Sequence, residues 1–133
     1  MTTPETNSAG LLVQMLLEYQ NNVKIYHFTT TSYARHVAAG KLHDNLVEKI
    51  DKFMEVYQGK YSRVNFSQQK SHINLYQIVD SQMVEYLQNV CKSLGNDALI
   101  VNKYVSIDDT DLLAIRDDIL ADINQTIYLF GTK

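Results

Sequence analysis

The stretch RHVAAGKLHDNLVEKIDKFMEVY, residues 35–57, decides the fold of this chain of 133 residues. Its apolar residues recur at three- and four-residue steps, which predicts one long amphipathic helix. The predicted inward face comprises Leu46, Val47, Ile50, Phe53, Met54 and Tyr57. Hydroxyl residues at 29–32 offer N-caps before this helix, and Gly59 is expected to end it because glycine tolerates a left-handed backbone.

Three further helices are predicted on either side of this one. Apolar periodicity predicts a helix over residues 8–28, another from about Asp80 to Gly95, and a last one from an N-cap at Ser106 or Asp108 to Gly131. Residues 60–78 have no sustained period, which predicts a long connection. The chain is therefore expected to be all-α, a single four-helix domain over residues 1–133 with a flexible segment at 1–8.

Composition excludes several classes of protein. A single cysteine rules out an internal disulfide framework and is typical of a reducing compartment. No apolar run approaches the roughly 20 residues that span a bilayer, and the first ten residues lack the features of a signal peptide. A soluble, cytoplasmic protein without a membrane partner is expected. The net charge of −3 and the pI near 5.7 give no electrostatic reason to bind DNA.

Two histidines and two acids form the candidate metal site. His27, His36, Asp51 and Glu55 combine imidazole and carboxylate ligands, the set that suits iron, zinc or manganese. At about 1.5 Å rise per residue, His36 and Asp51 lie about 22 Å apart on one helix, too far to share an ion. If these four residues bind one site, two subunits must supply it.

The same residues resemble those of the Dps-type miniferritins, the starvation-induced DNA-binding proteins of the ferritin-like fold. Three blocks carry the resemblance: NNVKIYHF at 21–28, the stretch at 35–57, and DTDLLAIRDDILADINQTIYLF at 109–130. The short turn expected between the first two helices resembles that of small members encoded by phages and large DNA viruses, which implies a host cytoplasm or a virion as the location.

The resemblance implies an architecture and an activity. The expected fold is a ferritin-like bundle, up-down-down-up, with a long crossover between the second and third helices. His27 and His36 of one subunit, with the carboxylates of its two-fold partner, are implied to bind iron, either as one ion or as a di-iron pair, with other divalent metals left open. Asp51 is implied to be a terminal ligand and Glu55 a bridging one. The implied function is Fe(II) oxidation by peroxide or dioxygen and ferric storage in a dodecameric shell.

The chain departs from the miniferritin pattern at several positions. The interval between His27 and His36 is shorter than usual, Phe28 replaces a tryptophan, and the lysine-rich tail that holds DNA is absent. Gly40 stands where an acidic ligand is common, so Gly40→Asp is expected to add a ligand. The alternative function is a non-enzymatic ferritin-like structural or interaction protein with a vestigial metal site. DNA compaction is a third and weaker alternative.

Each candidate residue also has a structural interpretation. The stripe of Asp44, Glu48, Asp51 and Glu55 has the spacing of an ordinary solvated helix face, and His27 and His36 could be capping or core residues. His43 is expected in the core, and Cys91 is expected to be a buried, unreactive thiol. The aspartates at 111, 117, 118 and 122 predict either a surface that lines an ion path or a plain solvated face.

Overall fold

The computed structural model describes residues 9–65, 72–96, 101 and 103–132. Its four principal helices are α1 (Ala9–Thr29), α2 (Tyr33–Lys60), α3 (Asp80–Leu94) and α4 (Thr110–Phe130). The described residues include no strand, so the all-α, four-helix prediction is confirmed. The segment 1–8, predicted to be flexible, lies outside the described residues.

Helices α1 and α2 form a hairpin with a very short turn. The chain leaves α1 after Thr29, and Ser32 caps α2 by accepting a hydrogen bond from the backbone N–H of Arg35 at 3.2 Å. A serine hydroxyl at this position satisfies one of the backbone donors that have no partner inside the helix. The predicted N-cap is thereby confirmed, and α1 ends within one residue of its predicted end.

The core lies between the inward faces of the helices. Apolar side chains at helical spacing fill it, and the largest fully buried ones are Tyr26, Tyr57, Leu12, Leu42, Met83, Leu87, Leu112 and Ile123. Each such side chain contributes about 1.5–3 kcal/mol relative to an exposed position. Val47 is an exception: 41% of its surface is exposed, so its predicted place on the inward face is wrong.

Two predicted helix ends also differ from the structure. No glycine among the described residues has a positive φ, and α2 continues through Gly59 to Lys60. The helix thus ends within one residue of Gly59, as predicted, but without the left-handed backbone expected of that glycine. The N-cap position of α4 is taken by Asp109 rather than by Ser106 or Asp108, and the Asp109 side chain makes no capping hydrogen bond to the helix. The physical reason is tertiary, because the Asp109 carboxylate is tied to Lys60 and Tyr61 at the end of α2.

Contacts at both ends of the bundle hold α1, α3 and α4 against one another. At one end, Tyr26 of α1 packs on Phe130 of α4 with ring centroids 5.7 Å apart, and its hydroxyl donates to Asp80 at the start of α3. At the other end, the buried Arg116 of α4 donates to the backbone oxygen of Leu94, which closes α3. None of the described helices is long and apolar enough to cross a membrane.

Candidate functional site

His27 and His36 lie side by side across the α1–α2 turn. His27 is in the last turn of α1 and His36 in the first turn of α2, so the short hairpin brings their side chains together. Their rings stack with centroids 4.0 Å apart and an interplanar angle of 15°. Both residues are half-buried. The spacing that singled out these two histidines in the sequence thus corresponds to a real cluster.

Reciprocal hydrogen bonds hold the two rings. Nδ1 of His27 lies 2.7 Å from the backbone oxygen of His36, and Nδ1 of His36 lies 2.7 Å from the backbone oxygen of His27. Since a carbonyl oxygen can only accept, each Nδ1 carries the proton and donates. In a neutral imidazole the other nitrogen, Nε2, then keeps its lone pair. This bond from ring nitrogen to backbone carbonyl is the usual support of a histidine that ligates a metal.

A polar cluster anchors the turn from its inner side. The Asp80 carboxylate accepts hydrogen bonds from the Tyr26 and Thr30 hydroxyls at 2.7 and 2.8 Å, and these bonds hold the pKa of Asp80 below its usual range. Arg35 donates to the Tyr26 hydroxyl and to the backbone oxygen of Asp80, both at 2.9 Å. Tyr26 and Arg35 are the chain neighbours of His27 and His36. Through them, α3 fixes the segments that carry the histidines.

Sequence reasoning missed this anchoring cluster. Asp80 is 54 residues from Tyr26 and 45 from Arg35, so no local spacing signals the contact. Its position at the N-terminus of α3 has an ordinary explanation in helix capping and dipole effects. The cluster could be found only from the tertiary structure.

Asp51 and Glu55 lie elsewhere on α2, on its outer face. Both are exposed, as are Asp44 and Glu48 on the same stripe. Because α2 is one continuous helix from Tyr33 to Lys60, the separation of about 22 Å between His36 and Asp51 stands. The structure does not bring the acid pair to the histidines within one chain.

The outer face of α2 also carries exposed apolar side chains. Tyr33, Val37 and Val47 are 80%, 51% and 41% exposed, and they share the stripe with Gly40 and the acids. An apolar and acidic stripe opposite the core is unlike a plain solvated face, which is polar throughout. We call this surface the α2 outer face, defined by Tyr33, His36, Val37, Gly40, Asp44, Val47, Glu48, Asp51 and Glu55.

Within the described part of one chain, no group of three or more His, Cys, Asp or Glu side chains could hold a metal ion. A metal ion bound by the histidine pair would therefore need further ligands from beyond the described residues of one chain. Carboxylates of a second copy are one such source.

The remaining candidates have structural explanations. His43 is half-buried with its Nδ1 3.1 Å from the Asp44 carboxylate. Cys91 is half-buried, and burial raises the pKa of its thiol, which reduces the reactive thiolate. The aspartates of α4 mostly have cationic partners: Lys60 with Asp111 at 2.8 Å, Arg116 with Asp117 at 2.8 Å, and Lys49 with Asp122.

A comparison with family models identifies the chain's relatives. Residues 27–130 match the model described as Family of unknown function (DUF5856). The chain belongs to this family. The matched span starts at His27 and includes His36, Asp51 and Glu55, so the family region contains the whole candidate site. No match was found among curated proteins or among solved structures.

Proposed function

We propose that this member of the family binds iron and oxidises Fe(II) at a site shared between two subunits, as a Dps-like miniferritin. His27 and His36 of one subunit supply nitrogen ligands, and Asp51 and Glu55 of its partner supply carboxylates. The observation that carries the proposal is the stacked histidine pair with both Nδ1 atoms committed to backbone carbonyls. Such a pair is preorganised to present two Nε2 ligands.

The expected assembly is an antiparallel pairing of the α2 outer faces about a two-fold axis. If His36 of one subunit faces Asp51 of the other, the axis passes between residues 43 and 44, halfway along the interval. The same register brings the exposed Val47 of each subunit into the interface. Exposed Tyr33 and Val37 add apolar surface that such a pairing would remove from water.

Two iron ions at each site are part of this proposal: each histidine would bind one ion, and the ions of catalytic metal pairs are held about 3.5–4 Å apart. Glu55 of the partner subunit would bridge the two ions, and Asp51 would bind one of them. Neutral imidazoles and anionic carboxylates together suit Fe(II).

The reaction is electron transfer from the bound Fe(II) substrate to an oxidant. Each Fe(II) loses one electron to become Fe(III), and a peroxide molecule that takes up two electrons breaks its O–O bond to form two hydroxide ions. With dioxygen as the oxidant, two electrons and two protons yield peroxide. The carboxylates stabilise the higher charge of the product, and ferric oxide is deposited inside a closed shell.

The order of the helices supports the ferritin-like part of the proposal. The C-terminal ends of α1 and α4 meet the N-terminal ends of α2 and α3, as Tyr26, Phe130, Arg35 and Asp80 attest. An up-down-down-up bundle has this arrangement, with a crossover along the bundle between its second and third helices. The ferritin-like identity, the dodecameric shell and a location in the host cytoplasm or virion are parts of this proposal.

One observation favours the second candidate, a non-enzymatic structural or interaction protein with a vestigial site. Gly40 provides no carboxylate where miniferritins commonly have one. The outer face would then mediate assembly alone, and the histidine pair would only stabilise the α1–α2 turn.

Glu55→Gln separates the two candidates. The amide keeps the shape of the side chain and removes the charge that holds a second cation, so Fe(II) oxidation measured by stopped-flow absorbance should fall at least about tenfold. Glu85→Gln is the matched control, because Glu85 is an exposed glutamate on α3 away from the α2 outer face. Equal rates in the parent and in Glu55→Gln, both matching oxidation in buffer, would replace the enzymatic function with the structural one.

A crystal grown with Fe(II) tests the ligands directly. Anomalous scattering at the iron edge should locate iron between the histidine pair of one subunit and the acid pair of the other. Iron found only at other acidic positions would overturn the assignment of these four ligands.

A further inference from the structure

Gly40 lies directly against the His27 ring. A Cβ atom built on Gly40 would lie 2.8 Å from Cε1 and 2.9 Å from Nδ1 of His27. These distances are shorter than any that real Cβ atoms adopt, so the two groups could not coexist in their present positions. The glycine is not required by the backbone, since its φ is not positive and it lies inside a regular helix.

The His27 ring has little freedom to move aside. Its Nδ1 is bonded to the backbone oxygen of His36, and its face is stacked on the His36 ring. The ring centroid of the next residue, Phe28, lies 5.6 Å from that of His27. Displacing the His27 ring by even a few tenths of an ångström would strain the 2.7 Å hydrogen bond and the stack together.

We infer that Gly40 is a positioning residue: its missing side chain leaves the space in which the His27 imidazole crosses α2, and this sets the direction of Nε2. The role in metal binding rests on the proposed function, whereas the effect on the ring does not. Glycine is among the poorest helix formers, and the His27 contact explains its presence in the second turn of α2. The His27 ring occupies the space that a side chain at position 40 would take, whereas miniferritins commonly have an acidic residue at the equivalent position.

This inference reverses the expectation for Gly40→Asp. From the sequence alone, an aspartate at position 40 is expected to add a ligand. In the structure its Cβ would meet the His27 ring before its carboxylate could reach a cation. Gly40→Asp should therefore weaken metal binding rather than strengthen it.

The direct test follows the histidine rings of the metal-free protein. Long-range 1H–15N NMR should find the Nδ1–H tautomer at both His27 and His36 in the parent, and Gly40→Ala should abolish that pattern at His27. Gly59→Ala is the matched control on the same helix, because a Cβ there meets nothing within 4 Å. An unchanged His27 spectrum in Gly40→Ala would overturn the inference.

A metal titration with Co²⁺ adds the functional readout. Gly40→Ala and Gly40→Asp should weaken binding at least about tenfold, the range in which loss of a supporting contact acts, and Gly59→Ala should bind like the parent. If the parent binds no Co²⁺ or Fe(II) while Gly40→Ala still changes the His27 tautomer, the proposed function fails and the positioning role stands. If the parent binds and Gly40→Ala binds equally well, the positioning role fails alone.

A thermal double-mutant cycle keeps the inference testable if Gly40→Ala is poorly folded. In the His27→Ala background the contested space is empty, so Gly40→Ala should raise the melting temperature through better helix propensity. In the parent the same substitution should lower it. A rise of equal size in both backgrounds would contradict a contact between position 40 and the His27 ring.

Discussion

Removal of the Asp109 carboxylate should destabilise the junction between α2 and α4. Only 6% of this side chain is exposed, and its oxygens accept from Lys60 Nζ at 2.8 Å, from the Ser106 backbone N–H at 2.9 Å and from the Tyr61 hydroxyl. Hydrogen bonds to a charged group contribute about 1.5–3 kcal/mol each. We count the Ser106 and Tyr61 bonds at the lower value and leave out Lys60, whose ammonium reaches solvent.

Asp109→Ala should therefore cost about 3 kcal/mol of the free energy of unfolding, which lowers the melting temperature by roughly 10 °C. Urea titration followed by circular dichroism measures the loss. Asp108→Ala is the matched control, because Asp108 is the exposed neighbouring aspartate. Equal stabilities of the two variants would refute the reasoning.

The effect should also depend on pH in one direction. Burial of Asp109 raises its pKa, but hydrogen bonds from Lys60, Tyr61 and Ser106 outweigh burial and hold the pKa below its ordinary value near 3.8. The carboxylate is thus stabilising above the pKa of the unfolded chain, and this contribution is lost as the pH falls through the lower folded pKa. The difference between parent and Asp109→Ala should be full at neutral pH and should shrink in acid below the ordinary pKa. A difference that grows with acidification would contradict this sign.

Two further predictions concern association. Metal bound between the histidines of one subunit and the carboxylates of its partner would link the two subunits, so Mn²⁺ or Fe(II) should tighten the dimer at least about tenfold and a chelator should loosen it. Sedimentation that shows a strict monomer at micromolar concentration with metal present would rule out both the dimer and the shared site. Duplex DNA should bind weakly or not at all near neutral pH, because the chain is acidic and its first ten residues contain no lysine or arginine; a mobility shift at physiological salt with submicromolar affinity would support DNA compaction instead.

The four helices could be predicted from the sequence because apolar residues recur along each of them at helical spacing. The ends of α1 and α3 and the Ser32 cap depend on local residues, and these were predicted to within a residue or two. Val47 was wrongly assigned to the inward face, because the spacing of apolar residues does not show whether a given one lies in the core or on the outer face of the helix. The contacts of Asp109 at the start of α4 are with Lys60 and Tyr61, about fifty residues away, and no local pattern reveals them.

For the candidate site, the sequence supplied the residues but not their arrangement. Spacing and ligand chemistry selected His27 and His36, and the distance along α2 pointed to a second subunit. The stacking of the rings depends on the three-residue turn at 30–32 and on Asp80 behind it. The role of Gly40 could not be predicted, because it depends on the position of the His27 ring against α2. From the sequence, Gly40 looks like the loss of an acidic ligand, whereas in the structure it leaves room for that ring.

Mixing two inactive variants tests the shared site most directly. One variant lacks the histidines (His27→Ala with His36→Ala) and the other lacks the acids (Asp51→Asn with Glu55→Gln), so neither alone can form a site. After unfolding and refolding together in equal amounts, random pairing should give half mixed dimers with one intact site each, which restores roughly a quarter of the parent's Fe(II) binding and oxidation. A mixture as inactive as its two components would contradict a site built from histidines of one subunit and carboxylates of the other.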